Sequence, residues 1–334
     1  MRRRLGPSGR AARMLPVQPI TATLFSDPGC PWAYSAAPSF ATLRWRYGDQ
    51  LDWHLVLIGL TERAQQYVDR GYTPQRQARG YRNFRRYGMP FATQPKSRVA
   101  ATSRACRAVI AARMEDPALG DAAFRALQLM QFTSTLLLDD DADLAAALRR
   151  VKGLDALAIV GRIDDRDVVR AYEADRALAR TAEGSPTAFQ GKAASTDGPV
   201  RYTAPSLVFE RDGQRLEAGG FQPLDAYDVI VANFDPTLDR RPAPEDPLEA
   251  LAEAPLGLAT IEVAEIMRTS PHPADRDAAE EALIESAARG DVVRVPVGDD
   301  AIWFAGTYAD ESARFLRASS NAAASGVAPS VAAS

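Results

Sequence analysis

Two short hydrophobic stretches stand near the start of the chain: "ITATLFS" (Ile20–Ser26), of strand composition and ended by the turn "DPG", and "LDWHLVLI" (Leu51–Ile58), where hydrophobic and polar positions alternate. Each predicts a β-strand. Between them "PWAYSAAPSFATLRWRYG" reads as one helix, with Pro31 suited to its first turn and Gly48 to its stop. Strand, helix and strand in such a short span predict a βαβ unit with a parallel pair.

From Gly59 to Glu183 the pattern is helical, broken at Pro90, Pro95 and Pro117. "DAAFRALQLMQFTSTLLL" and "DADLAAALRRVKGL" are its clearest amphipathic segments. A Gly/Ser/Pro-rich loop (Gly184–Val200) follows. Then "SLVFE", the turn "RDGQ" and "RLEAGG" read as a β-hairpin, and "QPLDAYDVIVANF" as a helix. "DRRPAPEDP" has linker composition. Beyond it three short helices, "PLEALAEAP", "ATIEVAEIM" and "DRDAAEEALIESAARG", precede a hairpin, "DVVRVPV" and "AIWFAG". Three helices and a two-stranded wing predict a small winged-helix-like module.

Composition narrows the class. Hydrophobic content of 46% and charged content of 25% are ordinary for a globular protein. No apolar run approaches the ~18 residues of a membrane span, and the basic start lacks the apolar core of a signal peptide. Two cysteines, Cys30 and Cys106, do not make a disulfide-stapled secreted fold, so a cytoplasmic location is expected. Charge is uneven. Between Thr61 and Arg113 there are 12 Lys and Arg against two acids, whereas between Arg241 and Asp310 there are five Arg against 15 Asp and Glu. This stretch, of net charge −10, would be repelled by a phosphate backbone, which argues against nucleic acid as its partner. A packing, dimerising or covering role is expected instead.

Candidate chemistry centres on Cys30. It precedes a helix that begins at Pro31, where unpaired N–H groups and the helix dipole favour a thiolate, so a lowered pKa is expected. Trp32 would shield one side of the sulfur. Cys106 reads either as a distant resolving thiol or as a buried helical cysteine acting as a small apolar residue. In "RQARGYRNFRRYGMPF" (Arg76–Phe91), arginines at three- and four-residue spacing interleave with aromatics. Arg82, Arg85 and Arg86 are candidate anion contacts, against the plainer reading of a solvated face over an aromatic stripe. Neither His54 nor His272 has metal-ligand spacing with cysteine, so no metal site is expected.

These pieces resemble a known family. "SDPGCPWAY" is similar to the "SDxxCPWCY" motif of the DsbA-like branch of the thioredoxin superfamily, and "APS" (Ala204–Ser206) stands where that family has a cis-proline loop facing the redox cysteine. The branch includes FrnE-type oxidoreductases, kappa-class glutathione transferases and 2-hydroxychromene-2-carboxylate isomerases. The resemblance implies an α/β, thioredoxin-like fold with a large helical insertion, to which the winged-helix-like module is added. It gives first and second halves of the thioredoxin-like domain at 20–58 and 190–238, around an insertion at 59–189. A linker at 239–247 and the acidic module at 248–310 follow. Disordered segments are expected at 1–19 and 311–334.

The same resemblance implies that Cys30 is the nucleophile, and that Pro31, Trp32, Ala33, Ala204 and Pro205 receive the substrate, with Pro205 in cis. It departs at Ala33, where the family has its second cysteine. A mixed disulfide on Cys30 then has no neighbour to resolve it. The expected activity is thiol–disulfide exchange through a single cysteine, with an external low-molecular-weight thiol (glutathione or mycothiol) as co-substrate and no tightly bound cofactor. A thiol-dependent isomerase or transferase, and a redox-inactive binding protein, are the alternatives. Expected partners are a small thiol or disulfide, neither nucleic acid nor membrane, and a second copy of the chain as a candidate homodimer.

Overall fold

The computed structural model describes residues 18–196, 198–269, 272–308 and 314–316. The two hydrophobic stretches form β1 (Ile20–Ser26) and β2 (Leu51–Leu57), paired in parallel along their length. The single helix expected between them is two, α1 (Pro31–Ser35) and α2 (Ala37–Tyr47), broken at Ala36. Pro38 has no N–H to give the carbonyl of Tyr34, so an unbroken helical ladder cannot cross this point.

The insertion supplies α3 (Gln65–Asp69), α4 (Pro74–Phe84), α5 (Ser103–Glu115) and α6 (Pro117–Thr133). It continues through α7 (Asp141–Leu148), α8 (Ala156–Gly161), α9 (Arg166–Ala179) and α10 (Pro186–Phe189). Helix α6 begins earlier than its apolar pattern, because Pro117 fits the first turn and Asp116 accepts from the Ala118 N–H at 2.8 Å. It stops before "STLLL". There the Ser134 hydroxyl donates to the Met130 carbonyl, and the buried Lys96 ammonium takes the carbonyls of Ser134 and Leu136, so the backbone is satisfied without a further turn.

Short strands β3 (Ala193–Ala194) and β4 (Arg201–Tyr202) pair across the loop expected to be irregular. Strands β5 (Ser206–Arg211) and β6 (Gln214–Ala218) form the expected hairpin, whose turn residues Asp212 and Gly213 have φ of +53° and +78°. Positive φ at both centres matches the right-handed twist of the strands, and glycine accepts it without strain. The sheet order is β2–β1–β5–β6, with β1 and β5 antiparallel. Helix α11 (Leu224–Phe234) packs on it, and the main core joins Leu24, Leu57 and Phe209 of the sheet to Val109 and Leu127 of the insertion.

The acidic C-terminal part contains α12 (Pro247–Ala252), β7 (Leu258–Ala259), α13 (Thr260–Ile266), α14 (Arg276–Arg289), β8 (Val292–Val297) and β9 (Asp300–Ala305). Its sheet has three strands, ordered β7–β9–β8, where the hydrophobic pattern showed two. Two residues of β7 are too few to produce an alternation. This part packs behind the first helices, with Tyr34 and Phe132 in one cluster with Ile302 and Phe304, and Trp45 in another with Trp303. The stretch read as a linker is strapped to α2. Arg241 donates its backbone N–H to Arg46, Trp45 donates to Pro242, and the Arg241 guanidinium lies 3.3 Å from the Trp45 ring centre.

Of the segments expected to be disordered, residues 314–316 are docked, Leu316 being fully buried. Residues 1–17, 311–313 and 317–334 lie outside the described residues. No helix among the described residues is long and apolar enough to cross a membrane.

Burial pulls the Lys96 pKa down to about 7. An unfolded lysine keeps its proton to about pH 10.4. Between these values the unfolded chain holds the extra proton, so this residue makes the fold more stable as pH rises. Urea titrations of the wild type and Lys96→Met should therefore diverge in favour of the wild type, by roughly 2 kcal/mol between pH 7 and 9.

Candidate active site

The turn "SDPGC" carries the chain from the end of β1 into α1. Gly29 is required there, because a side chain on it would meet the Thr102 methyl at 2.5 Å. Cys30 is the N-cap of α1 in an extended conformation, with Pro31 opening the helix. From the other half of the domain comes the segment joining β4 to β5, whose Ala204–Pro205 peptide bond is cis. The two meet directly. The Cys30 thiol donates to the carbonyl of Ala204 at 3.1 Å, across 174 residues of sequence.

This contact turns the Ala204 carbonyl towards the sulfur. A substrate that pairs with this carbonyl must first displace the thiol from it. Cys30 is only 6% exposed and packs with Phe25, Ala33, Tyr202 and Ala204. Burial pushes its pKa up to about 12. The N–H groups of Ala33 and Trp32 and the Arg201 guanidinium favour the thiolate, while the charge of Asp27 opposes it. The lowered pKa expected at a helix start is thus overturned: α1 has only five residues, and its end is dehydrated with a carboxylate close by.

Asp27 is the residue that the pattern underrated. It is fully buried, and burial raises its own pKa. Its carboxylate accepts from the N–H groups of Gly29 and Leu60, each at 2.8 Å, and from the Thr102 hydroxyl at 2.9 Å. Cys106 of α5 is also fully buried and directs its thiol at the same carboxylate, 3.6 Å away. Both cysteines are free thiols. In this arrangement Cys106 packs in the main core and hydrogen-bonds Asp27, and is no partner of Cys30.

Beside the thiol, Trp32 is 39% exposed and sits in an aromatic collar. Its ring centre is 4.9 Å from Phe84, 5.3 Å from Tyr87 and 5.7 Å from Phe221. Phe84 and Tyr87 come from the arginine-rich run, so its aromatic stripe is a wall of the site. Phe221, which follows β6, had no sequence signal. The arginines separate. Arg85 is bound to the Phe91 carbonyl and to Asp299 in the turn joining β8 and β9, so it is a strut between two parts of the chain. Arg86 is exposed and stacks over Tyr87, and Arg82 is exposed on α4. Arg201 was legible only as the residue before the "YTAPS" segment, and Tyr81 only as part of a stripe. Tyr81 is buried with Phe91 and Phe132, and its hydroxyl accepts from Gln131.

Comparison with known proteins places this geometry. A family model described as a DSBA-like thioredoxin domain matches residues 21–202. Among solved structures, the fold is similar to that of a candidate protein disulfide isomerase from Nitrosomonas europaea, at 17% identity and a TM-score of 0.50, covering 65% of this chain and 97% of that one. It is also similar to the cytosolic disulfide reductase DsbM from Pseudomonas aeruginosa, at 19% identity and 0.46, covering 64% and 98%. A 2-hydroxychromene-2-carboxylate isomerase follows at 13% and 0.42, covering 64% and 95%. At these identities the likeness is one of fold. No curated protein matches the sequence.

Proposed function

We propose what this chain does from the premise that it belongs to the family of DSBA-like thioredoxin domains, whose fold serves oxidoreductases and isomerases. The reading is thiol–disulfide exchange through Cys30 as the single nucleophile, with an external low-molecular-weight thiol completing the cycle. One observation carries it: the only thiol at the mouth of the site faces the cis-proline segment, while Ala33 occupies the neighbouring position and Cys106 is sealed in the core.

The cycle has two balanced steps. The Cys30 sulfur attacks one sulfur of a disulfide RS–SR′, forming a Cys30–SR mixed disulfide, and its proton leaves with R′SH. A small thiol GSH then attacks the R sulfur, giving GS–SR and returning the proton to Cys30. Because the resting thiol is held protonated, attack is coupled to loss of the bond to Ala204 and transfer of the proton to the leaving sulfur. Pro31, Trp32, Ala33, Ala204 and Pro205 form the receiving surface, and Arg82, exposed on α4, is a candidate to meet a carboxylate. A reducing compartment such as the cytoplasm supplies the thiol.

A second reading is favoured by the thiol's state. A protonated Cys30 donating a hydrogen bond behaves as a hydroxyl would, which suits a site that orients a bound thiol cofactor for isomerisation or transfer. The two readings part experimentally. Under thiol–disulfide exchange, a glutathionylated peptide is turned over only with added glutathione. Withholding glutathione leaves a mixed disulfide on Cys30, seen by mass spectrometry. In Ala33→Cys that adduct should resolve without added thiol. If no adduct forms on Cys30 under any condition, exchange through this residue is excluded; turnover that still requires added thiol would then select the cofactor reading, and no turnover a redox-inactive binding protein.

A further inference from the structure

A cavity of about 400 Å³ is lined by residues of both the thioredoxin-like part and the C-terminal part. Its walls are mainly apolar, built by Leu24, Phe40, Leu55, Phe124, Leu258 and Ile266. Ala33 and Ala37, on either side of the break between α1 and α2, form part of the same wall. Of the residues proposed to receive the disulfide only Ala33 touches it; Cys30, Pro31, Trp32, Ala204 and Pro205 do not line it.

Two features say what it holds. The first is charge. Every charged side chain on the wall is already paired within the protein. Arg44 meets Asp121 at 3.1 Å, Arg125 meets Glu262 at 2.5 Å, and Glu253 meets Arg241 at 2.7 Å. A charged ligand would enter a largely apolar space and find no free counter-ion.

The second is unmet hydrogen bonding. Gln128 is only 3% exposed and Ser26 only 1%, and both line the cavity. Neither the Gln128 amide nor the Ser26 hydroxyl has a hydrogen-bond partner among the described residues, and neither side chain is sealed from the cavity by packing. Facing an open cavity, these groups bond water, and a ligand that displaces the water without replacing its hydrogen bonds loses affinity. An amide offers both a donor and an acceptor, and a hydroxyl does the same. Their natural complement also carries both.

We propose that this cavity is a binding site for an uncharged, largely apolar small molecule bearing one amide-like group, which pairs with Gln128 and Ser26. Pocket size and composition fit, since small-molecule sites are mostly apolar spaces of a few hundred Å³ with a few convergent polar groups. The proposal is independent of how Cys30 works.

The test uses 2-quinolinone, an uncharged bicyclic lactam, and 2-naphthoate, a charged relative of similar shape, by isothermal titration on the full chain. The lactam should bind at one site per chain, and 2-naphthoate at least about tenfold more weakly, a difference of ~1.4 kcal/mol. Gln128→Leu should weaken the lactam by a similar factor while leaving the melting transition intact. Ala41→Trp, which fills the cavity, should abolish binding. Absence of lactam binding to the wild type would overturn the proposal and leave Gln128 and Ser26 to water. Equal binding of 2-naphthoate, or unchanged lactam binding in folded Gln128→Leu, would do so as well. Should Ala41→Trp not fold, the Gln128→Leu result decides.

Discussion

Cys30→Ser should lower glutathione-dependent reduction of a mixed disulfide by about 10³-fold or more, with the melting temperature nearly unchanged. The size follows from the chemistry. A serine hydroxyl cannot form or exchange a disulfide, and no other thiol can take over, because Ala33 carries none and Cys106 is fully buried against Asp27. The small structural effect follows from the geometry. Sulfur at this site makes one hydrogen bond, to the Ala204 carbonyl, and a hydroxyl can make the same bond. Loss of activity together with loss of the fold would leave a packing role for the residue. Retained activity with an intact fold would move the site to cofactor-type chemistry. The readout is the steady-state rate with glutathione varied, set beside circular-dichroism melting of the same preparations.

How much of this was legible beforehand depends on the range of the interaction. Strands β1 and β2 were visible because strand composition and alternation are local signals, and the β5–β6 hairpin was visible because "DG" can adopt positive φ at its turn. The pairing of Cys30 with the Ala204–Pro205 segment was expected only through resemblance, since nothing in the pattern links positions 174 residues apart. Asp27 stood in plain view inside "SDPGC". Its weight comes from burial beneath Leu60 and Thr102, which no spacing reveals. Arg85 was read as an anion contact because its spacing matched a charged face. A partner from the C-terminal part, Asp299, had already claimed it.

The thiolate expectation failed for the same reason. A helix end is a local feature, and dehydration of that end is a tertiary one. Here the tertiary effect is larger.

Asp27 offers the sharpest test of that balance, because its hydrogen bonds and its charge can be removed separately. Asp27→Ala removes the acceptor for the N–H groups of Gly29 and Leu60, the Thr102 hydroxyl and the Cys106 thiol, which come from separate segments of the chain. At about 1–3 kcal/mol for each orphaned donor, a destabilisation of roughly 4 kcal/mol or more is expected, measured by urea unfolding. Asp27→Asn keeps most of these bonds. Its oxygen can serve Leu60 and Thr102, while its NH₂ group is set against the Gly29 N–H, so the loss should be about 1–2 kcal/mol.

What Asp27→Asn changes fully is charge. The carboxylate is one of the groups that raise the Cys30 pKa, so without it the thiolate becomes more accessible. Iodoacetamide should then alkylate Cys30 about tenfold faster at pH 7.5 than in the wild type, the factor that one pKa unit represents. The linkage to stability has the matching sign. The folded-state pKa of Asp27 is raised, so the stability it contributes is present when it is protonated and is lost as pH rises through that value. D27N lacks this titration, and its stability deficit relative to the wild type should shrink as pH increases. An unchanged alkylation rate in D27N would mean that the wild-type carboxyl is already neutral in the resting site. Dehydration alone would then hold the thiol, and the rate would depend on what a bound disulfide does to water around Cys30.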